Sequence, residues 1–191
     1  MSRDDDNAKL IAALHAQDPA VARLLWKRFA PRTFRLLGRT LGPEAPVDAA
    51  VEVVLLCAFH RGARVRSEAK FNELVLKVTA RVARAELRRV PAREPFRSTD
   101  DAKTRFYRIL DRLGPADRIA FVFHHVESLD VRVVAAAMGG TVSGTTQRLR
   151  RALRMVFAGI QRDPVLRALA EPREVEIFNA ESRDLAAIPR A

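Results

Sequence analysis

One cysteine, one tryptophan and one tyrosine occur in 191 residues, and eight glycines are spread thinly. A lone Cys57 cannot close an internal disulfide, which excludes the disulfide-stapled class of secreted domains and suits a reducing compartment. Its place in the apolar run Val51 to Phe59 reads as that of a buried structural thiol. Scarce glycine and plentiful aliphatic residues favour helix over sheet. No apolar run approaches the roughly 20 residues that cross a bilayer. The N-terminus, Met1-Ser2-Arg3-Asp4-Asp5-Asp6, lacks the apolar centre of a signal peptide. A soluble, cytoplasmic protein without membrane insertion is expected.

The residues of familiar catalytic sites are also sparse. His15, His60, His124 and His125 have no cysteine or carboxylate partner at a metal-ligand spacing. Gly139-Gly140 is not followed by the Gly-Lys-Ser or Gly-Lys-Thr of a phosphate-binding loop, and no nucleophile elbow occurs. The expectation is a non-enzyme with no cofactor and no metal.

Acidic residues are the remaining shortfall: 34 Lys and Arg stand against 23 Asp and Glu, a net charge of +11 carried almost wholly by arginine. A polyanion is the partner this balance implies, with nucleic acid ahead of a membrane surface. The length allows one helical domain or two small ones, because a core built on fewer than about 70–80 residues is marginal. No internal repeat is present.

Helical periodicity begins at Ala8 to Leu14, and Asp18-Pro19 reads as an N-cap and first-turn proline opening a second helix through Trp26 and Phe29. Pro31 is expected to kink or restart it, and Gly42-Pro43 to end it. A third helix follows Pro46, with Asp48 in its first turn, and runs to about His60. From Ser67 to Arg89, Phe71, Leu74, Val78, Val82 and Leu87 recur near a 3.6-residue period, while Lys77, Arg81, Arg84 and Arg88 form a cationic stripe. Pro91 and Pro95, among polar residues between Val90 and Asp101, mark a composition shift of the kind that separates domains.

Four helices are expected beyond it, over about Ala102 to Leu113, Pro115 to Val126, Asp130 to Met138 and Thr141 to Gln161, with breaks at Gly114-Pro115 and Gly139-Gly140. Residues 164–191 hold three prolines and four arginines against five acidic residues and read as an appendage, with one short helix expected at Val165 to Ala170. The reading is an all-α fold: two small helical domains, residues 1–90 and 102–163, joined by a linker over 91–101 and followed by the extension 164–191.

A DNA-reading helix-turn-helix needs a short helix, a tight turn, and a second helix whose first turns offer polar side chains to the major groove. Asp130 to Arg148 has that pattern. Val133, Val134, Ala137 and Met138 are expected to form the inner face of the first helix, Gly139-Gly140 the turn, and Thr141 the cap of the second. Ser143, Thr145, Thr146, Gln147 and Arg148 are then expected to be exposed, and Val142, Leu149, Leu153, Val156 and Ile160 to continue the core stripe. Arg148, Arg150, Arg151, Arg154 and Arg162 follow without an intervening acid and would contact phosphates. Gln147 and Arg148 are the base-edge candidates.

The stretch Leu110-Asp111-Arg112-Leu113-Gly114-Pro115-Ala116-Asp117-Arg118, then His125-Val126-Glu127-Ser128-Leu129, then Val134 to Leu153, resembles the C-terminal domain of extracytoplasmic-function sigma factors. In that family this domain reads the upstream, minus-35 promoter element. The likeness covers about fifty residues without a gap. Residues from Leu10 to Arg89 are similar to the family's other domain, which binds core RNA polymerase and opens the minus-10 element; Asp18-Pro19, Phe29, Ala30-Pro31, Leu41-Gly42, Asp48, Glu52, Phe71 and Glu86-Leu87-Arg88-Arg89 carry that likeness. The resemblance implies polymerase contacts at Asp48, Glu52 and Leu55, DNA contacts along Lys77, Arg81, Arg84 and Arg88, a monomer when free, and an anti-sigma protein as a regulatory partner.

This sequence also departs from the family. The polymerase-binding helix, which usually reads Asp-Leu-Val-Gln-Glu-Val-Phe-Leu, here reads Asp48-Ala49-Ala50-Val51-Glu52-Val53-Val54-Leu55. Leu74 stands where a tryptophan is usual, and Ala80-Arg81 where arginine-asparagine is usual. Phe71 is the only aromatic residue between Arg61 and Pro95, so stacking support for an unpaired strand is thin. The alternative expectation is a sigma-like interaction protein that binds polymerase or a regulator without opening promoters. A dimeric repressor would need a further dimerising helix, for which only the chain after Asp163 is available.

Overall fold

The computed structural model describes residues 3–89 and 101–170. Among them every regular element is helical: α1 (Arg3–His15), α2 (Val21–Leu41), α3 (Val47–Gly62), α4 (Glu68–Arg89), α5 (Ala102–Leu110), α6 (Pro115–Phe121), a π-helical turn (Val122–Val126), α7 (Val131–Met138), α8 (Val142–Arg162) and α9 (Pro164–Leu169). None of these is long and apolar enough to cross a membrane. The described residues divide between two compact units, one within Met1–Glu86 and Ala136–Gly139, the other within Leu87–Ala135 and Gly140–Ala191. The linker expected over residues 91–101 lies outside the described residues except for Asp101, as does the extension beyond residue 170.

In the first unit, α1 hands over to α2 at Asp18, whose Oδ1 caps the opening turn by accepting from Ala20 N at 2.9 Å. Gln17 takes a left-handed φ of 52°, and Asp18 N donates to Ala13 O at 3.0 Å while Gln17 N donates to Leu14 O at 3.2 Å. That pairing closes the helix in the manner usually given to glycine. The cost of the left-handed backbone, about 1–2 kcal/mol, is offset by the Gln17 amide, which donates to Leu14 O at 2.9 Å and Phe59 O at 3.2 Å. Asp18 and Pro19 lie in the following turn, and α2 begins at Val21.

Pro31 neither ends nor restarts α2, which is assigned as one helix across it. Proline removes one backbone donor and costs about 3 kcal/mol inside a helix. The apolar face is buried on both sides of it, by Leu25, Phe29 and Ala30 before and Leu36, Leu37 and Leu41 after. At about 1.5–3 kcal/mol per buried aliphatic or aromatic side chain, that burial outweighs the lost bond. Gly42, at φ 100°, ends the helix with its N–H on Gly38 O.

Phe71 of α4 is wholly buried and meets the Phe29 ring edge-on, with centroids 5.1 Å apart. It also approaches Gly62, where a Cβ would lie 3.0 Å from both Phe71 and Leu14. Gly62 is the point at which side chains from α1 and α4 close over the end of α3. Arg28 and Glu68 pair at 2.5 Å to tie α2 to the start of α4.

The second unit is organised around Tyr107, Ile109, Leu110, Leu113, Phe121, Val122, Ala152, Leu153, Val156 and Leu166. Asp101 caps α5, accepting from Thr104 N at 2.7 Å. Asp163 caps α9 through Val165 N and Leu166 N and pairs with Arg105 at 3.1 Å. Gly159 lets α8 approach α5, since a Cβ there would fall 2.7 Å from Ile109. Arg118 is buried, paired with Asp111, and lies 6.0 Å over the Tyr107 ring.

After α6 the backbone widens into the π turn, where Glu127 N donates to Val122 O at 2.9 Å. His124 Nδ1 sits 2.7 Å from Leu129 O, and burial, helped by the neighbouring His124, pushes His125 down to about 4. The turn closes on Ser128 at a left-handed φ of 53°. Relieving about 1–2 kcal/mol of steric cost against roughly 0.5–1 kcal/mol of added glycine chain entropy, Ser128→Gly should stabilise the chain by about 0.5–1 kcal/mol. A urea midpoint that does not rise would contradict this.

Candidate nucleic-acid interface

The turn between α7 and α8 is built by one glycine. Gly139 takes φ 68°; Gly140 N donates to Ala135 O at 2.9 Å and Gly139 N to Ala136 O at 3.3 Å, which satisfies the last carbonyls of α7. Gly140 has no positive φ. Thr141 then caps α8, its hydroxyl accepting from Gly144 N at 3.1 Å. With a capped start, α8 runs 21 residues to Arg162.

Burial along α8 separates two faces. Leu149, Ala152, Leu153 and Val156 are buried, whereas Ser143, Gln147, Arg148, Arg151 and Arg154 are exposed. Their spacing places these five on one arc of the helix. Arg150 is half-buried, and its Nε and Nη2 atoms have no hydrogen-bond partner.

Three expectations about this segment require correction. Thr145 and Thr146, expected to be exposed, are 2% and 3% exposed. Thr146 Oγ1 donates to Val142 O at 2.9 Å, so its hydroxyl is satisfied internally. Both side chains are closed to an outside partner and leave the set of contact residues. Val142, expected in the core, is 43% exposed: it continues the apolar stripe but occupies the first position of α8, where the covering neighbours run out. In α7, Val134 and Ala137 are buried and Met138 half-buried as expected, but Val133 is exposed.

Asp117 is the residue that the sequence did not single out. It lies in the first turn of α6, is 8% exposed, and faces α8. Its Oδ2 accepts from Arg151 Nε at 2.7 Å and its Oδ1 from Arg151 Nη2 at 2.8 Å. The same Oδ1 accepts from Arg148 Nη1 at 3.4 Å. The Arg151 hydrogen bonds hold the Asp117 carboxyl below its ordinary range despite burial, and Asp117 in turn raises Arg151. The carboxylate is therefore ionised at neutral pH, and it joins α6 to two arginines of the candidate DNA face.

A second surface lies on α3. Asp48 and Glu52 are exposed, as are Ala49, Val53 and Leu56, the last two at 48% and 59%. Leu55, expected at the polymerase contact, is 7% exposed and belongs to the core, as does the wholly buried Val51. The spacing 48, 49, 52, 53, 56 was present in the sequence as a mixed acidic and apolar face. On α4, Lys77, Arg81 and Arg88 are exposed and Arg84 is half-buried. Phe71 is the only aromatic side chain of α4 and is in the core, so that helix offers no ring for stacking. Cys57 is half-buried. Among the described residues no group of three or more His, Cys, Asp or Glu side chains could hold a metal ion.

A scan against protein-family models finds no match to this chain, and a search of curated proteins finds none either.

Proposed function

We propose that this chain is a transcription initiation factor that binds core RNA polymerase and directs it to promoters through sequence-specific contacts of α8. One observation carries the reading. A glycine turn and a threonine cap start a helix that buries Leu149, Leu153 and Val156 while exposing Ser143, Gln147, Arg148 and Arg154 along one arc. Short polar groups near the helix start suit base edges, and arginines further along suit phosphates. The net charge of +11 and the resemblance to extracytoplasmic-function sigma factors point the same way.

The exposed face of α3 supplies the polymerase contact in this reading. Val53 and Leu56 give it apolar area, and Asp48 and Glu52 flank them with negative charge, a composition unsuited to DNA and suited to a basic protein surface. Combined replacement of Asp48 and Glu52 by Ala should weaken binding to core polymerase by roughly 1–2 kcal/mol in total, with duplex affinity unchanged. An unaltered polymerase affinity would remove α3 from the contact.

A second reading, a sigma-like protein that binds polymerase or a regulator without opening promoters, is favoured by the burial of Phe71. Promoter opening by family members relies on an unpaired strand held by protein groups, and α4 offers only cations for that purpose.

A further inference from the structure

We infer that Asp117 sets the sequence discrimination of α8 by positioning Arg148, with Arg151 as the brace that fixes the carboxylate; this rests on the reading of α8 as the DNA-contacting helix. The geometry assigns the two arginines different tasks. Arg151 presents its Nε and Nη2 edge to both oxygens of Asp117, at 2.7 and 2.8 Å. That fork is the edge arginine uses for two-point recognition of an external acceptor. Arg151 therefore reaches DNA as charge and not as a reader of bases.

Arg148 meets the same carboxylate through Nη1 alone, at 3.4 Å, a distance longer than a close hydrogen bond. The rest of its guanidinium is available, and its side chain is 44% exposed. A long arginine loses much rotamer freedom when it docks on a base edge. A fixed anion at its root removes part of that loss in advance and restricts the directions in which the remaining edge can point. Asp117 can act this way because it is itself held: its side chain is 12% exposed, and α6 packs along α8.

The same carboxylate repels phosphates. Removing it should therefore change two readouts in opposite directions: weaker preference for the right sequence, and equal or tighter binding to any sequence. A role confined to holding the fold together would lower both.

The test uses the full chain and two duplexes, one enriched by the wild-type protein from a random-sequence pool and one with that sequence scrambled. In Asp117→Asn the ratio of the two affinities should fall about tenfold, the discrimination of one two-point base contact, while affinity for the scrambled duplex stays equal or rises. Arg151→Lys keeps the charge but loses the fork, at an exposed position where folding is less at risk; it should reproduce the fall in ratio with an unchanged salt dependence. A ratio unchanged in both variants, or an equal loss on both duplexes, overturns the proposal. A fall in Asp117→Asn alone overturns the bracing role of Arg151. A wild-type chain that enriches no duplex overturns the reading of α8 itself, and the proposal with it.

Discussion

Phe71→Ala is expected to lower the stability of the chain by about 3–5 kcal/mol, the range for truncating a fully buried phenylalanine. The side chain is 0% exposed, packs edge-on against Phe29 and lies so near Gly62 that a Cβ there would stand only 3.0 Å from the ring. Truncation would leave a void among parts of α2, α3 and α4. Against a typical total of 5–15 kcal/mol, that loss is a large fraction, and it should appear as a lowered urea midpoint. A ring serving as a stacking platform would behave in the opposite way, with nucleic-acid binding reduced and stability little changed. Stability unchanged in Phe71→Ala would contradict the core placement.

Arg148→Ala and Arg154→Ala should separate base reading from phosphate contact. Loss of Arg148 is expected to cost about 1–3 kcal/mol on the preferred duplex and to flatten the preference for one base. Loss of Arg154, which is exposed on the same arc, should weaken all duplexes alike and reduce the salt dependence by about one ion. Fluorescence anisotropy over a salt series measures both. Equal losses on every sequence in Arg148→Ala would remove it from base reading and leave it a phosphate contact.

The helical composition of the fold was legible because its signals are local. Gly42 beside Pro43, Asp101 before α5, Thr141 before α8 and Asp163 before Pro164 each mark a helix end with their own chemistry, and each end falls within a residue or two of its expected place. The reading failed where a local signal was outweighed by packing. Pro31 is a helix breaker in isolation, but burial on either side of it keeps α2 continuous. Asp18-Pro19 does open α2, Asp18 accepting from Ala20 N, but a turn over residues 19–20 puts the first α-helical residue at Val21.

The candidate site was legible in part for the same reason. The apolar stripe of α8 gave its inner face, but polarity alone could not tell that Thr145 and Thr146 flank that stripe and are buried, or that Val142 lies at its uncovered end. Asp117 was hidden by distance along the chain. Its partners are 31 and 34 residues away, and an acid in the first turn of a helix reads from sequence only as a complement to the helix dipole. On α3, the family likeness pointed to Leu55, whereas the register of the helix turns Leu55 inward and Val53 and Leu56 outward.

The central claim is that the chain gives polymerase the ability to start at chosen sites. A reconstituted reaction with purified core polymerase, the full chain and genomic DNA fragments tests it most directly. The account predicts transcripts with defined start sites that appear only when chain and polymerase are both present, and that are lost in Arg148→Ala. Tight polymerase binding with no specific transcript from any fragment would contradict it.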